Sequence, residues 1–85
     1  MSKQTQVAKL KKYVDKNVFF TIKDVTKVTN ANNPYSALFD LGKVTSVWHD
    51  NVKNKNGVRF RIYWTRLVNL EQMRNYLRRH NLELA

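Results

Sequence analysis

The chain has 85 residues, enough for one domain and too few for two, so we expect a single domain over residues 1–85. It contains no cysteine, which excludes a disulfide framework and a thiolate metal site. Its 16 Lys and Arg residues outnumber 6 acidic residues, and the net charge of +10 predicts attraction to polyanions.

The first predicted elements are a helix over residues 5–16 and a short strand or extended link over residues 18–20. An apolar stripe with helical spacing runs along the helix, formed by Val7, Leu10, Tyr13 and Val14. The Val-Phe-Phe run that follows is β-branched and aromatic, which favours extended backbone.

A second helix is predicted over residues 22–29, because Thr21 and Asp24 have the spacing of a capping box. Thr21 would accept a hydrogen bond from the Asp24 amide, while the Asp24 carboxylate reaches back to the helix start. The residues expected to face inward are Ile22, Val25 and Val28.

The clearest break in the chain is residues 30–34, and a third helix follows it. Asn33 is the expected N-cap and Pro34 the first helical residue, with the helix ending at Leu41 before Gly42. Pro34, Leu41 and either Ala37 or Leu38 should face the core. The residues that remain for contact with solvent or a partner are Tyr35, Ser36, Phe39, Asp40 and Lys43. We expect the Phe39 ring to fold into a crevice under the hairpin that follows.

Apolar side chains recur at every second position over residues 58–64, and this alternation predicts a strand. Its inward face would carry Val58, Phe60, Ile62 and Trp64, and its other face Arg59, Arg61 and Tyr63. The partner strand is predicted over residues 44–52, with Val44, Trp48 and Val52 inward.

The register of this hairpin depends on the length of its loop. A tight turn at Asn56-Gly57 would set Phe60 opposite Lys53. A loop of three or five residues instead sets Val52 opposite Phe60 or Val58, and Trp48 opposite Trp64 or Ile62. Strands pair in the register that places their apolar side chains on the same buried face. We therefore favour the longer loop, which sets apolar residues opposite one another.

The last predicted element is a helix from about residue 67 or 69 to residue 82. Its apolar stripe consists of Leu70, Met73 and Leu77. A helix left over after the core has closed must bury its stripe elsewhere, so these three residues are the predicted interface of a homodimer. The alternative is that the helix folds back on the first helix of its own chain.

The order of these elements resembles the winged helix–turn–helix family over about residues 5–64. The resemblance is carried by residues 21–25, the turn at residues 30–34 and the hairpin of residues 44–64 around Gly57. It implies an α+β fold in which a three-helix core presents helix three to the major groove and the hairpin, or wing, lies along the backbone or minor groove. The chain departs from the family pattern in its C-terminal helix at about residues 67–82, and in a third helix whose only outward base is Lys43.

Two groups of residues are candidate nucleic-acid contacts. The first is on the wing and consists of Lys53, Lys55, Arg59 and Arg61; the alternative is a hairpin whose charges protect its edge from aggregation. The second surrounds helix three and consists of Asn32, Tyr35, Ser36 and Lys43.

No catalytic or metal site is predicted. His49 and His80 are far apart in sequence and lack clustered carboxylates. Ser46, His49 and Asp50 resemble a hydrolase triad in composition, but on one strand His49 would point away from the other two. There is no phosphate-binding loop. We therefore expect no enzyme activity and no cofactor.

These features predict a DNA-binding protein, with duplex DNA favoured over single strands, acting as a small regulator of transcription or a replication or recombination factor. The alternatives are a single-stranded nucleic-acid binder that stacks bases on Tyr35, Phe39 and Tyr63, or a protein-interaction module or basic component of a ribonucleoprotein.

No stretch approaches the roughly 18 apolar residues of a membrane span, and residues 1–6 lack the apolar core of a signal peptide. We expect a cytoplasmic protein with no membrane partner. The Asn- and Lys-rich composition indicates an AT-rich genome, viral or plasmid-borne.

Overall fold

A computed structural model describes residues 3–30 and 32–85, and side chains from Gln6 onward within that range. The predicted Ala31 of the turn and residues 1 and 2 lie outside the described residues. The elements in chain order are α1 (Lys3–Lys16), β1 (Phe19–Phe20), α2 (Ile22–Thr29), α3 (Pro34–Leu41), β2 (Trp48–Lys53), β3 (Arg59–Trp64), α4 (Leu70–Arg79) and β4 (Glu83–Leu84). The predicted α+β class is confirmed: the described part of the chain has four helices and a four-stranded antiparallel sheet.

Helices α1, α2 and α3 enclose the first hydrophobic core. Its buried members are Leu10, Val14, Phe20, Val25, Ala37, Leu41 and Tyr63. Three members of the predicted α1 stripe are confirmed, since Leu10 and Val14 are buried and Tyr13 packs against the core, whereas Val7 is half-buried and belongs to neither core.

Local capping determines where α2 and α3 begin. The Thr21 N–H donates to the Asp24 carboxylate at 2.9 Å, and the Thr21 hydroxyl accepts from the Asp24 N–H at 3.4 Å. This pair is the predicted capping box. Asn33 caps α3 by accepting from the Ser36 N–H at 3.4 Å, with Pro34 as the first helical residue. The bounds of both helices are therefore as predicted.

The sheet has the strand order β1-β3-β2-β4. Trp48 lies opposite Trp64 and Val52 opposite Phe60, so the longer hairpin loop is confirmed. The predicted inward positions of Val44 and Val58 are wrong, because both lie outside the strands and are 61% and 56% exposed. Trp48, also predicted to face inward, is 40% exposed at the start of β2.

Helices cover both faces of the sheet where Ile62 and Tyr63 lie, which corrects the predicted outward position of Tyr63. The ring of Tyr63 is buried in the first core, where it stacks on Phe20 with ring centroids 5.7 Å apart. The other face forms a second core beneath α4, around Val52 and Ile62. The prediction assumed one buried face, and the helices bury the second.

Helix α4 packs on the sheet of its own chain rather than on α1. Met73 and Leu77 are buried in the second core with Val52 and Ile62, whereas Leu70 is 62% exposed. Two of the three residues predicted to form a dimer interface are thus covered within one chain. The stripe that motivated the homodimer already has a partner, and the homodimer itself remains a prediction.

The end of α4 also differs from the prediction, because the helix stops at Arg79 instead of residue 82. Asn81 takes a left-handed conformation with φ of 55°. The Leu82 N–H donates to the Leu77 carbonyl at 2.8 Å and the Asn81 N–H to the Arg78 carbonyl at 3.3 Å, the hydrogen-bond pattern of a Schellman motif. This turn returns the chain to the sheet as β4, which pairs with β2.

Arg66 connects the end of the sheet to the end of α1. Its guanidinium Nη2 donates to the carbonyl oxygens of Val14 and Asp15 at 3.2 and 2.9 Å. These carbonyls lie in the last turn of α1, where a helix has no internal donors left. Among the described residues, no helix is both long enough and apolar enough to cross a membrane.

Candidate nucleic-acid interface

Three basic side chains share one face of the hairpin. Lys53 lies opposite Arg59, and Asn51 opposite Arg61, so all four are on the face that carries Tyr63. The three-helix core covers that face at Tyr63 but not at its far end, where Arg59 and Arg61 are exposed and Lys53 is half-buried. We call Lys53, Arg59 and Arg61 the basic hairpin face. A cavity of about 370 Å³ adjoins it, lined by Asn51, Arg59, Phe60, Arg61 and Ala85.

The charge of this face is only partly balanced. Lys53 Nζ lies 3.5 Å from a Glu83 carboxylate oxygen, and Glu83 is exposed. Sequence reasoning missed this pair, because β4 was not expected. In the described part of the chain, Arg59 and Arg61 have no acidic partner within ion-pair distance. Two guanidinium groups are thus available to an anion.

The hairpin tip holds Lys55 on an ordered loop. The Asn54 side-chain oxygen accepts from the N–H groups of Asn56 and Val58 at 2.9 and 3.1 Å. Gly57 has φ of 80°, a left-handed conformation that glycine adopts without strain. Lys55 is exposed, so the loop presents a fourth cation beyond the basic hairpin face.

Helix α3 presents aromatic rather than basic side chains. Tyr35 and Phe39, one helical turn apart, are 60% and 69% exposed. The prediction that Phe39 folds into a crevice under the hairpin is therefore wrong. Its ring is contacted instead by Lys43, whose Nζ lies 5.0 Å from the ring centroid.

The remaining candidates around α3 differ in accessibility. Asn32 is exposed and Ser36 is half-buried, with its N–H used by the Asn33 cap. Lys43 Nζ lies 3.5 Å from an Asp40 carboxylate oxygen, so its charge is shared within the chain. The structure brings Asn32, Tyr35 and Ser36 together at the start of α3, while Lys43 lies past its end.

A groove of mixed polarity between the end of α1 and α4 was not predicted. Its volume is about 390 Å³, and its lining residues are Lys16, Asn17, Val18, Phe19, Gln72, Asn75, Tyr76 and Arg79. No acidic residue lines it. The residues come from segments far apart in sequence, so only the packing of α4 brings them together.

The sheet separates the side chains of His49 and Asp50, two of the three residues that resemble a triad in composition. His49 lies on the face of Tyr63, with ring centroids 6.0 Å apart, and Asp50 lies opposite Ile62 on the other face. Over those same ranges, no group of three His, Cys, Asp or Glu side chains could hold a metal ion. The candidate interface offers cations, amides and exposed rings.

Comparison of the chain with protein-family models, curated proteins and solved structures finds no match.

Proposed function

We propose that this chain is a small DNA-binding protein of the winged helix–turn–helix kind that contacts duplex DNA through its hairpin. The observation that supports the proposal best is the basic hairpin face, where Lys53, Arg59 and Arg61 are neighbours on one exposed surface. Like charges opposite one another in a sheet are destabilising. A phosphate backbone would relieve that repulsion while releasing condensed counterions.

The arrangement of elements also supports the proposal. A helix, a short strand, two helices joined by a turn, and a hairpin follow one another in the order on which the family resemblance rests. The hairpin is fastened to the three-helix core through β1, which pairs with β3. Such attachment would hold a wing in a fixed position relative to α3.

Contacts to phosphate should dominate over base reading. The side chains that typically read bases in the major groove are Arg, Lys, Asn and Gln. Around α3 the chain offers Asn32 and Lys43, and the Lys43 ammonium is shared with Asp40. We therefore propose an accessory or regulatory role in transcription, replication or recombination in which sequence preference is modest.

The test compares binding of a fluorescent DNA duplex and of its single strand at several salt concentrations. With about four to six phosphate contacts, the slope of log affinity against log salt should be roughly −4 to −5. Arg59→Ala should weaken duplex binding and reduce the magnitude of the slope by about 1. Arg74→Ala is the matched control, because Arg74 is exposed on α4, which covers the opposite sheet face. A flat salt response would contradict the proposal.

A second candidate is single-stranded nucleic-acid binding, favoured by the exposed rings of Tyr35 and Phe39. Bases of any identity stack on such rings. The third ring considered for stacking, Tyr63, is buried and unavailable for this purpose. Tighter binding of the single strand than of the duplex would favour this candidate over the first.

A further inference from the structure

One edge of the central strand β3 is paired over only part of its length. On one side, β2 pairs with every residue from Arg59 to Trp64. On the other side, β1 pairs only with Tyr63 and Trp64, because the chain leaves the sheet after Phe20 to begin α2. Along Arg59 to Ile62, no strand of the described ranges occupies this second side.

The backbone groups of Arg59 and Arg61 point toward that open edge. The Asn54 N–H donates to the Val58 carbonyl at 3.0 Å, which makes this pair a hydrogen-bonded one. Bonded and non-bonded pairs alternate along an antiparallel ladder. Phe60 and Ile62 are therefore bonded to β2, whereas Arg59 and Arg61 direct their N–H and C=O groups away from it.

A second observation agrees with this alternation. Asn51 lies opposite Arg61, and its carbonyl accepts from the Ala85 N–H at 3.0 Å on the β4 side. Asn51 thus also turns its backbone away from the β2–β3 ladder, as a member of a non-bonded pair must.

A groove runs beside the open edge, between β3 and the first turn of α2. Its volume is about 270 Å³. The lining residues are Thr21, Ile22, Lys23, Val58, Phe60 and Arg61. The groove therefore joins apolar side chains to two cations, and no acidic residue lines it. Asp24, in the same turn of α2, has its carboxylate engaged by the Thr21 N–H.

We propose that this groove binds an extended segment of a protein partner, which adds to the sheet as a strand beside β3. Unpaired strand edges bind peptides in this way, with main-chain hydrogen bonds supplying affinity and alternate side chains supplying specificity. Residues of the added strand opposite Arg59 and Arg61 share their cationic face and should be acidic. Residues opposite Phe60 share its apolar face and should be apolar.

Charge complementarity selects this occupant over a second copy of the chain. Pairing β3 with β3 of another molecule would bring arginines together on the same face, and like charges across a strand pair are destabilising. In an alternating acidic–apolar segment, the acidic side chains would instead pair with Arg59, Arg61 and Lys23. The apolar side chains would contact the apolar lining residues of the groove.

The test is an NMR titration of the whole 85-residue chain with an acetylated peptide that alternates aspartate and valine. At saturation, hydrogen exchange at the Arg59 and Arg61 amides should slow by roughly tenfold or more, because these amides become hydrogen-bonded. The same peptide with lysine in place of aspartate, or with N-methylated amides on the side facing β3, should leave exchange unchanged. Unchanged exchange with saturating acidic peptide, or equal binding of the lysine peptide, overturns the proposal.

A matched pair of lysines on α2 tests the groove itself. Lys23→Glu should weaken binding of the acidic peptide by about tenfold, since Lys23 lines the groove. Lys27→Glu makes the same charge change on an exposed residue outside the groove and should leave affinity nearly unchanged. Equal effects would show only general electrostatic attraction and overturn the site. Slowed exchange that depends on protein concentration without peptide would identify a second copy as the occupant and also overturn it.

Discussion

Ile62 and Tyr63 are consecutive residues of β3, and both are buried, but each lies in a different hydrophobic core. Ile62 packs with Val52 beneath α4, and Tyr63 packs among the three N-terminal helices. Successive side chains of a strand point to opposite faces, so a strand covered on both sides must be apolar at both positions. The exposed basic face begins where the helical cover ends, at Arg61.

Two leucines of α4 should differ sharply in their effect on stability. Leu77→Ala removes a side chain buried in the second core and should lower the free energy of unfolding by about 2–5 kcal/mol. Leu70→Ala removes an exposed side chain and should change it by less than about 0.5 kcal/mol. Urea denaturation followed by circular dichroism measures both. Similar losses in the two variants would contradict the packing of α4 on its own sheet.

The capping box at Thr21 should contribute measurably to stability. Thr21→Ala leaves the Asp24 N–H without its side-chain acceptor and should cost about 1 kcal/mol. Thr26→Ala is the control, because Thr26 is exposed within the same helix and its hydroxyl only donates back to the Ile22 carbonyl. Urea midpoints give the comparison, and an equal or larger loss at Thr26 would argue against the cap.

Tyr76 should make the protein less stable at alkaline pH. Burial raises the pKa of the Tyr76 phenol above its usual value of 10.0, and the negative charge of Asp24 acts in the same direction. Folding thus favours the neutral phenol. Its contribution is fully present below pH 10.0 and is lost as pH rises through the folded-state pKa.

The experiment compares urea midpoints on both sides of pH 10.0 for the parent chain, for Tyr76→Phe and for the exposed-ring control Tyr35→Phe. Tyr76→Phe should lose less stability in alkali than the parent does, because its ring cannot ionise. Tyr35→Phe should behave like the parent. An identical alkaline loss in all three chains would exclude Tyr76 as the responsible group.

Phe39 separates the two nucleic-acid hypotheses. Its ring is largely exposed, so Phe39→Ala should leave the unfolding midpoint nearly unchanged. If bases stack on α3, single-strand affinity should fall by about 1–3 kcal/mol. If the hairpin is the interface, duplex affinity should be nearly unaffected. Fluorescence anisotropy with both DNA forms measures the difference.

Much of the fold could be predicted because local chemistry specifies it. Thr21 with Asp24, and Asn33 with Pro34, define the starts of α2 and α3 within a few residues of sequence. The sequence also excludes the tight hairpin turn, leaving two registers with Val52 opposite Phe60 or Val58, and the structure has the first.

The remaining features depend on tertiary packing that no local pattern encodes. Tyr63 and Ile62 are consecutive in a strand, so their alternation predicts that one of them faces solvent, and only the arrangement of the helices reveals that both are covered. Thr29 was not expected in the core, yet its buried hydroxyl donates to the Val25 carbonyl at 2.7 Å. The basic residues of the hairpin could be named from the sequence, whereas the Glu83 partner of Lys53 requires β4.

The contacts of Arg66 have a consequence for the order of folding. Its guanidinium reaches Val14 across 52 positions of sequence, and β1 likewise pairs with the end of β3. Closing so long a loop costs entropy before any contact repays it, whereas the β2–β3 hairpin and the α2–α3 pair form between near neighbours. The hairpin should therefore assemble early in refolding, and the contacts that join distant parts of the chain, those of Arg66 with α1 and of β1 with β3, should form late.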